Sequence, residues 1–276
     1  MNFAFTSACC PQWDYRTLAD RAAEYGYDGV EIHGSLSENA PSAANILLAD
    51  PQKVADVFAA RQVRICCLAS AGTTRQDDRA AEQVRLLIDT AAQISCPTVL
   101  VPDAVPPRGR DRAAAAIALA RWLGPLADYA AGHQVTLVVE NSLSLRRARE
   151  MWLLMETLHH PAAGVCWDVL HAAMVGEAPA VSVPTLNSRI RHVHVSDARL
   201  DASGPSPAAL GKGQVPVADL LRRLLGIGYR GWVVADWHNA APAEILAGAI
   251  ATLRQWTRPP TDAASAAKKT KAHATG

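Results

Sequence analysis

The segment that decides the fold reads Val135-Thr136-Leu137-Val138-Val139-Glu140-Asn141. It is an unbroken apolar and β-branched run that stops in a carboxylate and an amide. Strands of a parallel sheet are buried on both faces and have this near-continuous apolar composition. The segment therefore predicts an inner strand of a parallel sheet with a polar group at its carboxyl end.

Similar apolar runs lie on both sides of this segment and alternate with longer amphipathic stretches rich in Ala, Leu and Arg. Such alternation is typical of βα units around a parallel sheet. The eight strand candidates are Phe3–Ser7, Gly29–His33, Val63–Ala69, Thr98–Pro102, Val135–Asn141, Gly164–Asp168, His192–Asp197 and Trp232–Trp237. Eight units predict a single (β/α)₈ TIM barrel, a fold of about 250 residues. We assign residues 1–256 to this barrel and the Pro-, Ala-, Ser- and Lys-rich residues 257–276 to a disordered tail.

The composition excludes several classes of protein. Lys and Arg total 27 against 26 for Asp and Glu, so no strong positive field favours nucleic acid or an anionic membrane as a partner. No apolar stretch is long enough to cross a bilayer, and the chain passes from Met1 directly into a strand-like run. Its six cysteines form no C-x-x-C pair and are expected to be reduced thiols. These features predict a cytoplasmic protein.

Polar side chains end four consecutive predicted strands, the fifth to the eighth. They are Glu140, Asp168, His194 and Asp236. Barrel chemistry lies at the carboxyl ends of strands, and neighbouring strands are about 4.8 Å apart, so these groups can converge on one point. A lone acidic residue at a strand end is more often a helix cap or a solvated loop residue than a metal ligand. Three buried carboxylates together need a cation, and this donor set suits Mn²⁺ or Mg²⁺ and admits Co²⁺ or Zn²⁺.

Other polar and aromatic residues near strand ends are candidates for the wall of the same pocket. Glu31 and His33 share one face of the second strand, and each could line the pocket or pair with a neighbour. Trp13 could form an apolar wall, although tryptophan more often serves packing. His192 lies one layer deeper than His194 and is expected to support the site from the core.

The order of these segments resembles that of the xylose isomerase-like barrel superfamily of sugar isomerases and epimerases. The segments that carry the resemblance are Asp28–Glu31, Val139–Asn141, Trp167–His171, His192–Asp197, Leu210–Pro216 and Tyr229–Trp232. The resemblance implies that Glu140, Asp168, His194 and the eighth-strand carboxylate hold a metal ion. It also implies that His171 and Arg199 contact substrate oxygens, and that the carboxylates of the fifth and eighth strands act as acid and base. Here the last of these is Asp236 where the family has glutamate, which puts a two-base epimerisation in doubt and leaves one-base isomerisation or elimination open.

From these residues we expect a divalent-metal-dependent isomerase or epimerase. Its substrate would be a ketose, a polyol-derived ketone or a related sugar that reacts through proton abstraction and an enediolate, with Glu140 as the base. One alternative is a lyase or dehydratase that acts on an inosose or keto-glycoside. An apurinic-site endonuclease fits less well, because the third and fourth strands end without histidine. A non-catalytic binding protein, a partner subunit and a homo-oligomer remain open.

Overall fold

The computed structural model describes residues 1–36, 43–70, 75–103, 111–237 and 243–258. Its strands are β1 Asn2–Thr6, β2 Gly29–Gly34, β3 Arg64–Ser70, β4 Thr98–Pro102, β5 Thr136–Glu140, β6 Ala163–Asp168, β7 Ile190–Val195, β8 Asp197–Asp201, β9 Gly204–Ala208 and β10 Trp232–Ala235. Eight of them close into a parallel barrel in the order β1-β10-β7-β6-β5-β4-β3-β2. The predicted single (β/α)₈ barrel is therefore confirmed.

Helices follow the barrel strands. They are α1 Tyr15–Tyr25, α2 Pro51–Ala59, α3 Asp78–Gln93, α4 Arg112–Gly132, α5 Ala148–Leu158, α6 Val169–Met174, α7 Pro179–Leu186, α8 Val217–Gly226 and α9 Ala243–Thr257. None of the helices in the described part of the chain is long and apolar enough to cross a membrane. Of the tail predicted over residues 257–276, Thr257 belongs to α9, and residues 259–276 lie outside the described residues.

Aspartate side chains define where the first four helices begin. The residues are Asp14, Asp50, Asp77 and Asp111, and each accepts a hydrogen bond from a backbone N–H in the first turn of its helix. Such a cap contributes about 1 kcal/mol to the stability of a helix. These short-range signals fix where each helix starts. The helix starts and the carboxyl ends of the strands lie at the same rim of the barrel.

The barrel has two layers of core. The larger layer lies between strands and helices and contains most of the large apolar side chains, including Phe5, Leu18, Leu87, Leu123 and Trp167. The interior of the barrel contains Trp232 and otherwise smaller side chains, which are Ala4, Cys66, Cys67, Ala69, Leu100, Val138, Cys166 and Val234. All six cysteines of the chain are buried free thiols. Small interior side chains leave room for charged groups beneath the mouth of the barrel.

The structure departs most from the sequence-based prediction after the seventh barrel strand, and several other strand ends shift by one or two residues. We expected one strand over His192–Asp197, but β7 ends at Val195 and an antiparallel hairpin of β8 and β9 follows. The sequence of β9 contains Pro205 and Pro207, which hide its strand character. Proline is tolerated there because a two-stranded hairpin has edges whose N–H groups need no partner.

Candidate metal centre

Four neighbouring barrel strands bring the four predicted ligands together. Glu140 is the last residue of β5, Asp168 is the last residue of β6, and His194 lies near the end of β7. Asp236 follows β10 directly. One ligand atom from each of the four side chains lies within 4.8 Å of the others. Adjacent parallel strands thus place the four groups around one point at the carboxyl rim.

His194 is at the centre of this cluster. Its Nδ1 lies 2.7 Å from Glu140 Oε1 and 3.4 Å from Asp236 Oδ2. Burial by itself lowers the pKa of His194, but the neighbouring side chains of Cys166, Glu31 and Asp236 outweigh burial and raise the pKa well above its usual value. Either a proton or a metal ion could therefore lie between Nδ1 of His194 and the carboxylates that face it.

The carboxylates of the cluster are mostly shielded from solvent. Their side chains are 12% (Glu140), 4% (Asp168) and 11% (Asp236) exposed. Burial raises the pKa of Asp168, and the charges of Glu140 and Asp236 add to this effect, although the charge of His171 opposes it. Negative groups crowded in this way are stabilised by a cation. Three carboxylates and one imidazole are a donor set that could hold a divalent metal ion.

Asn141 aligns the strand that carries Asp168. The backbone N–H of Asp168 donates to Asn141 Oδ1 at 2.6 Å, and Asn141 Nδ2 donates to the carbonyl oxygen of Asp168 at 3.0 Å. Asn141 has no exposed surface. Because Asn141 follows Glu140 directly, this pair of bonds fixes the ends of β5 and β6 relative to each other, and with them two of the candidate ligands.

Asp103 fixes the loop that follows Glu140. Its carboxylate is fully buried and accepts hydrogen bonds from the backbone N–H groups of Leu143, Ser144 and Leu145. The hydroxyl of Ser142 also donates to it, at 3.1 Å. A carboxylate bound to several N–H groups holds its loop rigidly. Asp103 thus supports the site without being part of the ligand cluster.

Glu31 lies beneath the cluster. Its Oε2 is 3.1 Å from Nε2 of His194 and 3.0 Å from Nε2 of His192, and all three side chains are buried. Burial raises the pKa of Glu31, but the charge of His194 and the hydrogen bonds from both imidazoles outweigh burial and hold the pKa well below its usual value. Of the two roles considered for Glu31, the structure shows pairing with neighbours.

The remaining predicted residues lie near the rim in different environments. His171 is 25% exposed, its backbone N–H donates to Asp168 Oδ1 at 2.8 Å, and its Nδ1 lies 3.7 Å from the same oxygen. His33 is partly buried, with Nδ1 3.2 Å from Oγ1 of Thr6. Trp13 is partly buried and packs against the core. Arg199 is exposed on β8 of the hairpin.

The glycine-rich stretch Gly211–Gly213 forms part of a loop anchored by Asp197. The carboxylate of Asp197 accepts hydrogen bonds from the backbone N–H groups of Gly211 at 2.8 Å, Gly213 at 3.0 Å and Val215 at 3.0 Å. These amides would otherwise be the anion-binding groups of such a loop. The glycines therefore serve the fold of the loop.

Two of these supporting roles were not predicted from the sequence. Asp103 and Asp197 each follow an apolar strand, as do the candidate ligands. Their position in the sequence therefore does not distinguish them from the ligands. Asn141 was noted as part of a matching segment, but nothing in the sequence indicated that its amide would bond to Asp168. The distinction depends on the amides that surround each side chain.

Comparisons with known proteins agree with this fold. The family model described as xylose isomerase-like TIM barrel matches residues 19–258. A sequence comparison with curated proteins found no match.

Solved structures resemble the chain over nearly its whole length. D-allulose 3-epimerase from Methylomonas sp. has 20% identity and a TM-score of 0.72, over 93% of this chain and 98% of the other. The IOLI protein with a binding zinc atom has 15% identity and a TM-score of 0.78, over 93% of this chain and 98% of the other. The probable 3-DHS dehydratase AsbF from Bacillus anthracis has 14% identity and a TM-score of 0.72, over 92% and 98%. At these identities the likeness shows a shared fold.

Proposed function

The chain belongs to the xylose isomerase-like TIM barrel family, and we propose that it is a divalent-metal-dependent isomerase or epimerase. Its substrate would be a ketose, a polyol-derived ketone or a related sugar. The proposal is carried by the convergence of Glu140, Asp168, His194 and Asp236 at the mouth of the barrel. The similarity to a D-allulose 3-epimerase supports it.

We propose Mn²⁺ or Mg²⁺ as the first candidates for the ion, because three of its four ligands would be carboxylates. Co²⁺ and Zn²⁺ also accept this donor set, and zinc is the ion in the IOLI protein. When bound, the ion would polarise the substrate carbonyl and offset the negative charge that develops on its oxygen. We place the protein in the cytoplasm, because its six cysteines are free thiols.

Glu140 is the proposed base that removes the proton beside the carbonyl, which leaves an enediolate. Burial raises the pKa of Glu140, but the hydrogen bond from His194 and its charge outweigh burial and lower the pKa. The carboxylate is therefore ionised near neutral pH and can accept a proton. Its Oε1 lies 2.7 Å from His194 Nδ1, so the base stands beside a second proposed ligand, and a bound ion would supply the positive charge that His194 supplies here.

Substrate orientation is assigned to residues around the rim. His171 is partly exposed beside Asp168, where its imidazole could bind a substrate oxygen. We assign Arg199 to a second oxygen, and Trp13 and His33 to the wall of the pocket. Glu31 has no exposed surface, so we give it no direct contact with substrate.

Elimination on the same scaffold is the second candidate, and Asp236 is the observation that favours it. Its side chain is one methylene shorter than the family glutamate, about 1.3 Å less in reach. Epimerisation needs a proton removed on one face and returned on the other, whereas one-base isomerisation or loss of a leaving group needs only Glu140. The similarity to a probable dehydratase supports keeping a lyase acting on an inosose or keto-glycoside as the alternative.

The test is isotope exchange in D₂O with Mn²⁺ and a panel of ketoses, inososes and keto-glycosides. NMR detects deuterium at the carbon beside the carbonyl, and mass spectrometry detects loss of water or of an aglycone. Exchange with an isomeric product supports the isomerase, and a product of lower mass supports the lyase. If neither exchange nor mass change occurs with any member of the panel while the protein binds Mn²⁺, the proposed activity on these sugars is wrong.

Glu140→Gln is the variant that tests the base. We expect it to fold and, at Mn²⁺ concentrations that saturate its site, to lose exchange of substrate protons with solvent, because the amide cannot accept the proton. Undiminished exchange in this variant would show that another group is the base.

A further inference from the structure

We propose that Glu31 is a positioning residue for His194, and that its buried carboxylate determines which imidazole nitrogen faces the metal site. This inference rests on the proposed function, because it presupposes that His194 is a metal ligand. Glu31 has no exposed surface, so it touches neither solvent nor substrate, and of the four candidate ligands it contacts His194.

The two nitrogens of His194 face carboxylates on opposite sides of the ring. Nε2 lies 3.1 Å from Glu31 Oε2, and Nδ1 lies 2.7 Å from Glu140 Oε1. An ionised carboxylate only accepts hydrogen bonds, so Glu31 requires a hydrogen on Nε2. A neutral imidazole with its hydrogen on Nε2 has its lone pair on Nδ1. This lone pair faces Glu140, Asp168 and Asp236. A metal-binding histidine commonly has its other nitrogen held in this way.

His192 holds Glu31 in place from a second direction. Its Nε2 lies 3.0 Å from the same oxygen, Glu31 Oε2, and the two imidazole rings meet edge to face with centroids 5.4 Å apart. All three side chains are buried, so water cannot replace either hydrogen bond. The carboxylate is thus fixed by a histidine outside the candidate ligand set, and it can in turn fix the histidine within that set.

The location of Glu31 explains why the barrel interior tolerates a buried carboxylate. An isolated buried carboxylate is costly unless it is paired and hydrogen-bonded. Two N–H donors on Oε2 meet part of that requirement, whereas Oε1 is buried without a hydrogen-bond partner among the described residues, and an apolar residue would have avoided the cost altogether. A function in orienting His194 accounts for a carboxylate at this position among the small side chains of the barrel interior.

Glu31→Gln is the variant that tests the inference. The amide has the same shape and keeps one oxygen acceptor, but it loses the charge that holds the Nε2–H. Changes to such supporting groups typically weaken metal binding about 10- to 100-fold. We expect a loss of at least about tenfold in Mn²⁺ affinity, measured by competition with a chelator.

Glu177→Gln is the matched control. Glu177 is also a buried glutamate, and it accepts a hydrogen bond from the backbone N–H of Ala148 at 2.7 Å, at the start of α5. We expect this variant to have a lower free energy of unfolding in urea. Its Mn²⁺ affinity should stay within about twofold of the wild type, because changes at distant sites with no shared partners usually act independently. A general loosening of the barrel would instead weaken metal binding in both variants and would overturn the inference.

The outcomes separate this inference from the proposed function. If the wild-type protein binds no divalent metal, the proposed function itself fails. If the wild type binds Mn²⁺ and Glu31→Gln binds it equally well, only the role of Glu31 is wrong.

A measurement on the wild-type protein decides the question even if the variant does not fold. With Zn²⁺ bound and histidine rings labelled with ¹⁵N, NMR distinguishes a metal-bound nitrogen from one that carries a proton. We expect His194 to show a metal-bound Nδ1 and a protonated Nε2. The reverse assignment, or an Nε2 without a proton, would overturn the inference.

Discussion

The side-chain amide of Asn141 is hydrogen-bonded to both backbone groups of Asp168, accepting from the N–H at 2.6 Å and donating to the carbonyl oxygen at 3.0 Å. The amide thereby takes the place of a strand residue at the point where the backbone pairing of β5 and β6 ends. Glu140 directly precedes Asn141 in the chain. The two hydrogen bonds of Asn141 therefore hold the candidate ligands Glu140 and Asp168 in a fixed relative position. The alignment of the site therefore depends on a residue that is not itself a ligand.

Asn141→Ala tests this alignment. The substitution leaves the N–H and carbonyl of Asp168 buried without partners, and each such group costs about 1–3 kcal/mol. We expect a lower free energy of unfolding by urea denaturation, and a weaker affinity for Mn²⁺ because Asp168 is no longer held beside Glu140.

Asn45→Ala is the control for that experiment. Asn45 makes the same pair of hydrogen bonds with a backbone, accepting from the N–H of Ser35 at 3.0 Å and donating to its carbonyl at 2.9 Å, but it lies outside the cluster. We expect a similar loss of stability with unchanged Mn²⁺ affinity. Equal affinities in the two variants would contradict the alignment role of Asn141.

Gly213→Ala tests the loop anchored by Asp197. A Cβ at residue 213 would overlap the Asp197 carboxylate and lie 2.7 Å from the backbone nitrogen of Ala198. Forcing a group into such a space typically costs about 1–3 kcal/mol. We expect thermal unfolding at a lower temperature. Gly226→Ala at the end of α8, where a Cβ has open space, should leave the unfolding temperature unchanged or raise it.

Asp168→Asn is expected to change stability in opposite directions with and without metal. Asparagine keeps the oxygen that accepts from the N–H of His171, but it removes one of the crowded negative charges. The metal-free variant should therefore be more stable than the metal-free wild type. Metal at 100 times its Kd adds about 2.7 kcal/mol to a protein that binds it, and the variant should lose most of this gain.

Thermal unfolding with excess Mn²⁺ and with chelator measures both effects of Asp168→Asn. A variant that is destabilised in chelator and still stabilised by Mn²⁺ as much as the wild type would refute the assignment of Asp168 as a ligand.

Asp236→Glu tests whether the short side chain limits the reaction. The added methylene lengthens the reach by about 1.3 Å and restores the family pattern. We expect the variant to form an epimer that the wild type does not form, detected by NMR of the product. Asp128→Glu on the exposed face of α4 is the control and should leave the product unchanged. Identical products from Asp236→Glu and the wild type would show that reach at this position does not decide the outcome.

Most of the barrel could be predicted from the sequence, because apolar runs and helix caps act over a few residues. The fourth strand was predicted as Thr98–Pro102 and is observed with those bounds. The hairpin of β8 and β9 was not predicted, because Pro205 and Pro207 carry no strand signal. Its strands depend on each other and on the loop behind them rather than on local preference.

The position of the candidate site was also determined by the sequence alone. Side chains at the carboxyl ends of neighbouring parallel strands must share one rim, so Glu140, Asp168 and His194 were bound to meet once the barrel formed. What only the tertiary structure decided is the partner of each polar group. Asp103 and Asp197 also follow barrel strands, yet their charges are taken up by backbone amides that come from distant parts of the chain. Hydrogen bonds are short and directional, so the choice between ligand and loop anchor exists only after the chain has folded.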